Sequence, residues 1–314
     1  MILSPVLVAA VAAAAAGAVL LAVGTHLQHL SVTRGRGAGT AVRLAVLRSP
    51  VWLLGTALIA AETVLNILAL GLAPVALVQP VGALSLVCAA LISARALRVP
   101  LTRRLLASIA LTTGSIAVFV GLTARCSLPA QVSEEAAGTL VLLLCLGAAA
   151  AVALARSGAG HLARVGTAGV LFGTVASGAH LAAAELFTRS GDWGALSPSV
   201  WLLVLALAPA SGAGMWLVQT AYASGPPETV LAGLTVVDPL TAVAVGALLL
   251  GEYAPMPPEV LSLLIVSALV AFAGIGMLAR HHPGVGGRAA AEAVPASLTA
   301  SPAAGVRARE GAVR

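Results

Sequence analysis

The residues able to do chemistry in this chain stand inside apolar runs. Glu62 lies in the middle of one, with Asn66 one helical turn later. A Gly71-Leu72-Ala73-Pro74 turn follows, and the next apolar run carries Gln79-Pro80. Far along the chain, Asp238-Pro239 sits midway through another. A carboxylate at the centre of a membrane span costs about 2.5–3.5 kcal/mol even on a mild insertion scale, so such groups face a cavity or a partner. Burial raises a carboxyl pKa, and an acid so placed can alternate between a proton and a cation. Asn66 shares the helical face of Glu62; it either offers a carbonyl ligand or fixes the Glu62 side chain. Proline removes a backbone donor and frees a carbonyl, and unwound carbonyls at mid-membrane can bind ions. Glu62, Asn66, Gln79, Pro80, Asp238 and Pro239 are therefore the candidate solute or ion pathway, with Glu62 and Asp238 as candidate metal ligands. The competing readings are a protonated Glu62 hydrogen-bonded to a neighbouring helix for packing, and a purely structural kink at Pro239.

His26, His180 and Gln219 are candidates for a gate or for packing. The two histidines are expected toward opposite membrane faces, at headgroup level, and so cannot converge on one metal. Gln219 either lines a cavity or bonds a neighbouring helix. Glu185 is expected to snorkel at a helix end, and Glu252 to cap a loop. Cys88, Cys126 and Cys145 lack metal or redox spacing. The chain has no HExxH motif, no Walker sequence with lysine and no paired Asp-rich motif. No enzyme and no cofactor are expected.

The elements that must position these residues are membrane helices. The 314 residues are 60% hydrophobic and 9% charged, against about 25% charged in soluble domains, and the mean hydropathy is +1.04. The net charge of +6 comes from arginine alone, which marks loop orientation rather than nucleic-acid binding. About nine runs approach or exceed the roughly 20 residues a spanning helix needs, near 6–27, 51–71, 75–97, 105–122, 136–155, 165–187, 200–222, 229–251 and 259–279. The first lacks a preceding positive charge and is followed by Arg34, Arg36, Arg43 and Arg48, the reverse of a secretory signal. Alternate loops then carry Arg95, Arg98, Arg103 and Arg104, and Arg156 and Arg164, while the opposite loops hold only Arg125 and Arg189. This asymmetry puts the N-terminus outside and the C-terminus in the cytoplasm. Residues 1–280 form the transmembrane domain. Residues 281–314, rich in Ala, Pro, Gly and Arg, are expected to be a disordered cytoplasmic tail.

Short matches recur at an offset of 154 residues. Gly24-Thr25-His26-Leu27 returns as Gly178-Ala179-His180-Leu181, Arg98 falls on Glu252, and Ser108 on Ser262. Five spans separate the equivalent helices, so the expected architecture is an inverted repeat of helices 1–4 (about 1–122) and 6–9 (about 160–280), with the fifth (about 136–155) as connector.

In the second half, Ala221 to Pro226, Asp238-Pro239-Leu240 and Leu250-Gly251-Glu252 resemble the drug/metabolite transporter (EamA-like) superfamily. Glu62, Asn66, Ala69, Ala73-Pro74, Val78, Pro80 and Gly82-Ala83-Leu84-Ser85 keep the register of its NIPA-like magnesium transporter branch. Ala61, Gln79 and Leu97-Arg98 stand where that branch has glycine, threonine and Lys-Glu. The resemblance implies a secondary transporter in the cytoplasmic (inner) membrane that moves a small solute or divalent cation, with Mg²⁺ favoured among cations. The alternatives are a proton-coupled exporter of a small metabolite or drug, and a non-transporting membrane scaffold. The expected partners are the transported solute or cation, protons and the lipid bilayer; a homodimer is compatible, and nucleic acid is not expected.

Overall fold

The computed structural model describes residues 4–34, 49–98, 100–224, 227–253 and 255–280. These form ten α-helices: α1 (Pro5–Arg34), α2 (Pro50–Leu72), α3 (Val75–Gly82), α4 (Leu84–Ala96), α5 (Arg103–Cys126), α6 (Glu134–Arg156), α7 (His161–Thr188), α8 (Pro198–Ser224), α9 (Pro227–Leu248) and α10 (Pro258–Arg280). No strand occurs among the described residues beyond an isolated bridge between Ser127 and Tyr253. The expected tail and the loop carrying Arg36, Arg43 and Arg48 lie outside the described residues.

Helix starts are written in the sequence. Five helices open on proline, whose missing N–H and fixed φ suit a first turn. Ser49, Thr102 and Ser133 accept a backbone N–H from Trp52, Leu105 and Ala136, caps worth about 1 kcal/mol each.

Eight helices, with α3 and α4 taken as one, are long and apolar enough to cross a membrane; the apolar stretch Gly233–Leu248 in α9 is shorter. Their large apolar side chains point outward in number: Leu205 is 68% exposed, Leu269 61% and Leu146 58%. Water would not tolerate such a surface; lipid does. Trp193 and Trp201 meet in a tilted contact, centroids 5.9 Å apart and planes at 42°, at one end of the bundle. Arg156 lies 5.7 Å over the Trp216 ring at the other. Both are positions suited to an aromatic belt.

Two expected boundaries change. The first helix runs on to Arg34 rather than stopping near residue 27. The third run is broken in two. Pro80 has no N–H to give the carbonyl of Ala76, and the chain tightens behind it, with Ala83 N bonding Pro80 O at 3.2 Å and Leu86 N bonding Ala83 O at 3.2 Å. By contrast, α9 passes Pro239 without interruption.

Packing relies on small residues that let backbones approach. A Cβ built at Gly24 would lie 2.8 Å from Gly55 O, so α1 and α2 touch backbone to backbone. Gly169 and Gly173 of α7 seat Val237 and the Asp238 carbonyl of α9, and Gly274 of α10 seats Thr112 of α5. Helix α1 packs on α2, α3 and α4; α7 packs on α8 and α9; α3 meets α9, and α5 meets α10. Helix α6 packs on α7 and α8, where Leu140, Leu144, Leu171 and Leu203 share one core. The expected connector is therefore built into the second half.

Candidate functional site

Where α3, α5, α9 and α10 meet they leave a cavity of about 50 Å³, lined by Pro80, Phe119, Thr235, Pro239, Val243 and Phe272 among others. Both candidate prolines thus face one space. Pro80 reaches it because α3 breaks there, and Pro239 because α9 lies across α3. The lining is apolar apart from Thr235 and contains none of Glu62, Asn66, Gln79 or Asp238.

Those four are placed elsewhere. Glu62 is half-buried in mid-α2; its stem lies against Gly17 of α1, where an added Cβ would stand 3.5 Å from Glu62 Cγ. Its Oε2 accepts from the Thr63 hydroxyl at 3.4 Å. Asn66 is half-buried on the same face, and Gln79 half-buried one residue before Pro80. Asp238 Oδ1 is buried with no hydrogen-bond partner among the described residues. Its main chain is pressed onto Gly173. Helix α7 touches both α2 and α9. No group of three or more His, Cys, Asp or Glu side chains that could hold a metal ion occurs among the described residues.

His26 is half-buried in α1. Gln219 is exposed on α8, and its amide reaches only Met215 of the same helix, at 4.0 Å. It neither lines the cavity nor bonds a neighbouring helix.

His180, a candidate for a gate or for packing, is enclosed by protein toward the C-terminal end of α7. It is 3% exposed and forms a buried junction with Glu252, which is 0% exposed. His180 Nε2 lies 2.7 Å from Glu252 Oε1. The other ring nitrogen, Nδ1, meets the carbonyl of Leu70; a carbonyl only accepts, so Nδ1 carries the proton. Glu252 accepts the amides of Val75 (Oε1, 3.0 Å) and Ala76 (Oε2, 3.4 Å), closing the N-terminus of α3. Glu252, expected to cap a loop, here caps a helix whose Val75 is 177 residues away in the chain. Pro74 precedes α3 and has no side chain to cap it; the carboxylate supplies the acceptor and complements the helix dipole. Gly246 makes room, since any Cβ there would overlap Glu252 Oε2. Gly251 turns the chain with φ +63°, a conformation only glycine adopts freely.

The loops around the junction brace it. Leu128 N bonds Glu252 O at 2.6 Å, and Gln131 N bonds Leu250 O at 2.9 Å. The Tyr253 hydroxyl meets Thr123 Oγ1 at 3.4 Å. Burial pushes the Tyr253 phenol up from its ordinary value, the Thr123 bond pulls it down, and the charge of Glu252 adds to the rise. Glu185 departs from expectation: it does not snorkel but is 4% exposed. It accepts from Ser197 N at 3.2 Å and pairs with Arg189 at 3.5 Å, which fixes the approach to α8. The signal at Glu185 and Glu252 is the cost of an unpartnered buried acid; what the sequence does not show is which partner each has.

Residues 6–128, well under half of the chain, match the family described as magnesium transporter NIPA. No curated protein and no solved structure gives a significant match. The matched stretch runs from α1 to just past α5 and contains Glu62, Asn66, Gln79 and Pro80. It is similar to a magnesium transporter family; Asp238, His180 and Glu252 fall outside the match.

Proposed function

We propose that the protein is a multi-pass transporter of the cytoplasmic membrane that works by alternating access between two inverted units, α1–α5 (about 1–122) and α7–α10 (about 160–280), with α6 as connector. The observation that carries this reading is the cavity shared by Pro80 and Pro239, which lies between the two halves where one span is broken and its counterpart carries a proline within an unbroken helix. The paired packing supports it: α1 on α2 and α3/α4 is matched by α7 on α8 and α9, and α3–α9 and α5–α10 join the halves. Such a fold is a member of the drug/metabolite transporter superfamily on this reading.

Orientation follows from charge. Arg95, Arg98, Arg103, Arg104, Arg156, Arg164 and Arg280 gather at one end of the helices. At the other stand Arg125 and Arg189 with Glu134, Glu135, Asp192 and Glu259. The arginine-rich end is the cytoplasmic one, which puts the α2–α3 turn and the N-terminus outside.

The substrate favoured is a divalent cation of the Mg²⁺ class, supported by the similarity over residues 6–128. Mg²⁺ keeps several waters and needs only one or two carboxylates. Glu62 and Asp238, one acid from each unit, with the Asn66 and Gln79 amides and the main chain at the Pro80 break, meet that demand sequentially along a path rather than as one cage. The apolar lining of the cavity favours a second reading, a proton-coupled exporter of a small apolar metabolite or drug. Purified protein in liposomes containing a Mg²⁺-responsive dye tests the choice. Entry of Mg²⁺ down its gradient supports the first reading. Absence of cation flux together with proton-driven movement of an apolar solute supports the second. No flux of either kind leaves a membrane scaffold.

A further inference from the structure

We propose that His180 and Glu252 form a latch that closes the pathway at the end carrying the α2–α3 turn, and that access from that side requires its release. The inference rests on the alternating-access reading above. In that reading the two units must part at this end once in each cycle, and the junction holds them together there. His180 on α7 takes the Leu70 carbonyl at the end of α2. Glu252, after α9, takes the Val75 and Ala76 amides at the start of α3. All three first-unit groups belong to the one hairpin that reaches the cavity at Pro80. Between junction and cavity, Val75, Ala76, Leu77 and Val78 are each 0% exposed, so the first turns of α3 form a plug.

The groups are built for release as a unit. His180 and Glu252 are both shut off from solvent and lie against each other. If the α2–α3 hairpin moves away, Glu252 loses two amides and His180 loses a carbonyl together, so the closed end is two-state rather than graded. At the opposite end, the repeat puts His26 and Arg98 in the corresponding places. Both are basic, His26 is half-buried and Arg98 exposed, and they cannot pair. Among the described residues the latch is found at one end.

The test uses the full chain with Cys88, Cys126 and Cys145 changed to serine and Val78→Cys as reporter, in liposomes, with a membrane-impermeant maleimide added to either side. Glu252→Gln keeps one acceptor for the α3 amides and turns the other oxygen into an NH2 facing an amide, so it loosens the hold on α3 without emptying the site. The expected result is slow labelling from the turn side in the reporter background. Adding Glu252→Gln should raise that rate roughly tenfold or more, with labelling from the other side unchanged. His180→Phe, which removes the donor to the Leu70 carbonyl and leaves Glu252 as the cap, should raise the turn-side rate as well. An unchanged turn-side rate in Glu252→Gln overturns the latch. So does an equal rise from both sides with a lowered melting temperature, which would mark the pair as a brace. Labelling that responds as expected in a protein without flux would overturn the transport reading and leave the latch standing. Flux without a labelling response would do the reverse.

Discussion

Glu62 and Asp238 are the two acids placed in mid-helix, and they differ in their surroundings. Glu62 has Thr63 and the open face of Gly17 beside it; Asp238 Oδ1 has no described partner. Glu62→Gln is expected to leave insertion and melting temperature unchanged and to lower Mg²⁺ flux at least about tenfold, the loss of roughly 1.4 kcal/mol of cation interaction. Normal flux in that variant would remove Glu62 from the pathway. Asp238→Asn should lower flux similarly, whereas Asp238→Leu should raise the melting temperature, because a buried polar atom without a partner costs about 1–3 kcal/mol. A thermal shift in the opposite direction would show that Asp238 is held by a structural partner. Tyr253 carries a phenol raised by burial and by Glu252. A group whose folded value lies above its unfolded one contributes stability below the unfolded value and loses it as pH rises through the folded one. Tyr253 is therefore a neutral hydroxyl throughout the working range, and Tyr253→Phe should leave the pH profile of flux unchanged between about pH 5 and 9. Single acids in apolar runs are visible in a sequence because their cost is local. The His180–Glu252 junction was not, because its worth depends on two helices and a turn meeting, and no spacing rule encodes that.

At the scale of elements, the informative contrast is between two prolines. Pro80 splits its span and Pro239 does not, although both were read alike. After Pro80 the chain finds three-residue bonds at Ala83 and Leu86. After Pro239 the helix continues, clamped between α7 and α3. Helix positions were legible from hydropathy and from the Pro and Ser/Thr starts; the break was not, since it is decided by what packs outside the proline. Helix contact was legible only as a surplus of glycine. Gly24→Leu would drive a side chain into the Gly55 backbone and should cost about 1–3 kcal/mol, seen as a lower melting temperature in detergent. Gly121→Leu, where an added Cβ meets nothing within 4 Å, should not shift it. If both variants melt alike, the close crossing of α1 and α2 is not a source of stability.

For the molecule as a whole, arginine placement argued the topology, and the same residues gather at one end of the folded chain. A cysteine placed after Arg280 should react with impermeant reagent only in opened cells, and one placed at Ser190 should react in intact ones. The opposite pattern would invert the protein. Only the first two-fifths of the chain carries recognisable family similarity. The partners of its central hairpin come from the remainder, which no motif within the matched stretch announces.

That arrangement also sets an order of events during synthesis. The amides of Val75 and Ala76 enter the membrane with their helix, but the carboxylate that satisfies them is made 177 residues later. At roughly 5–20 residues per second this is a wait on the order of ten to thirty seconds. During it the first half must keep the start of α3 near water or lipid headgroups, because exposed amides in hydrocarbon are costly. The nascent protein is thus an unfinished half until its own C-terminal part arrives to seal it, and a quality-control factor that reads exposed amides near the membrane surface has that interval in which to act.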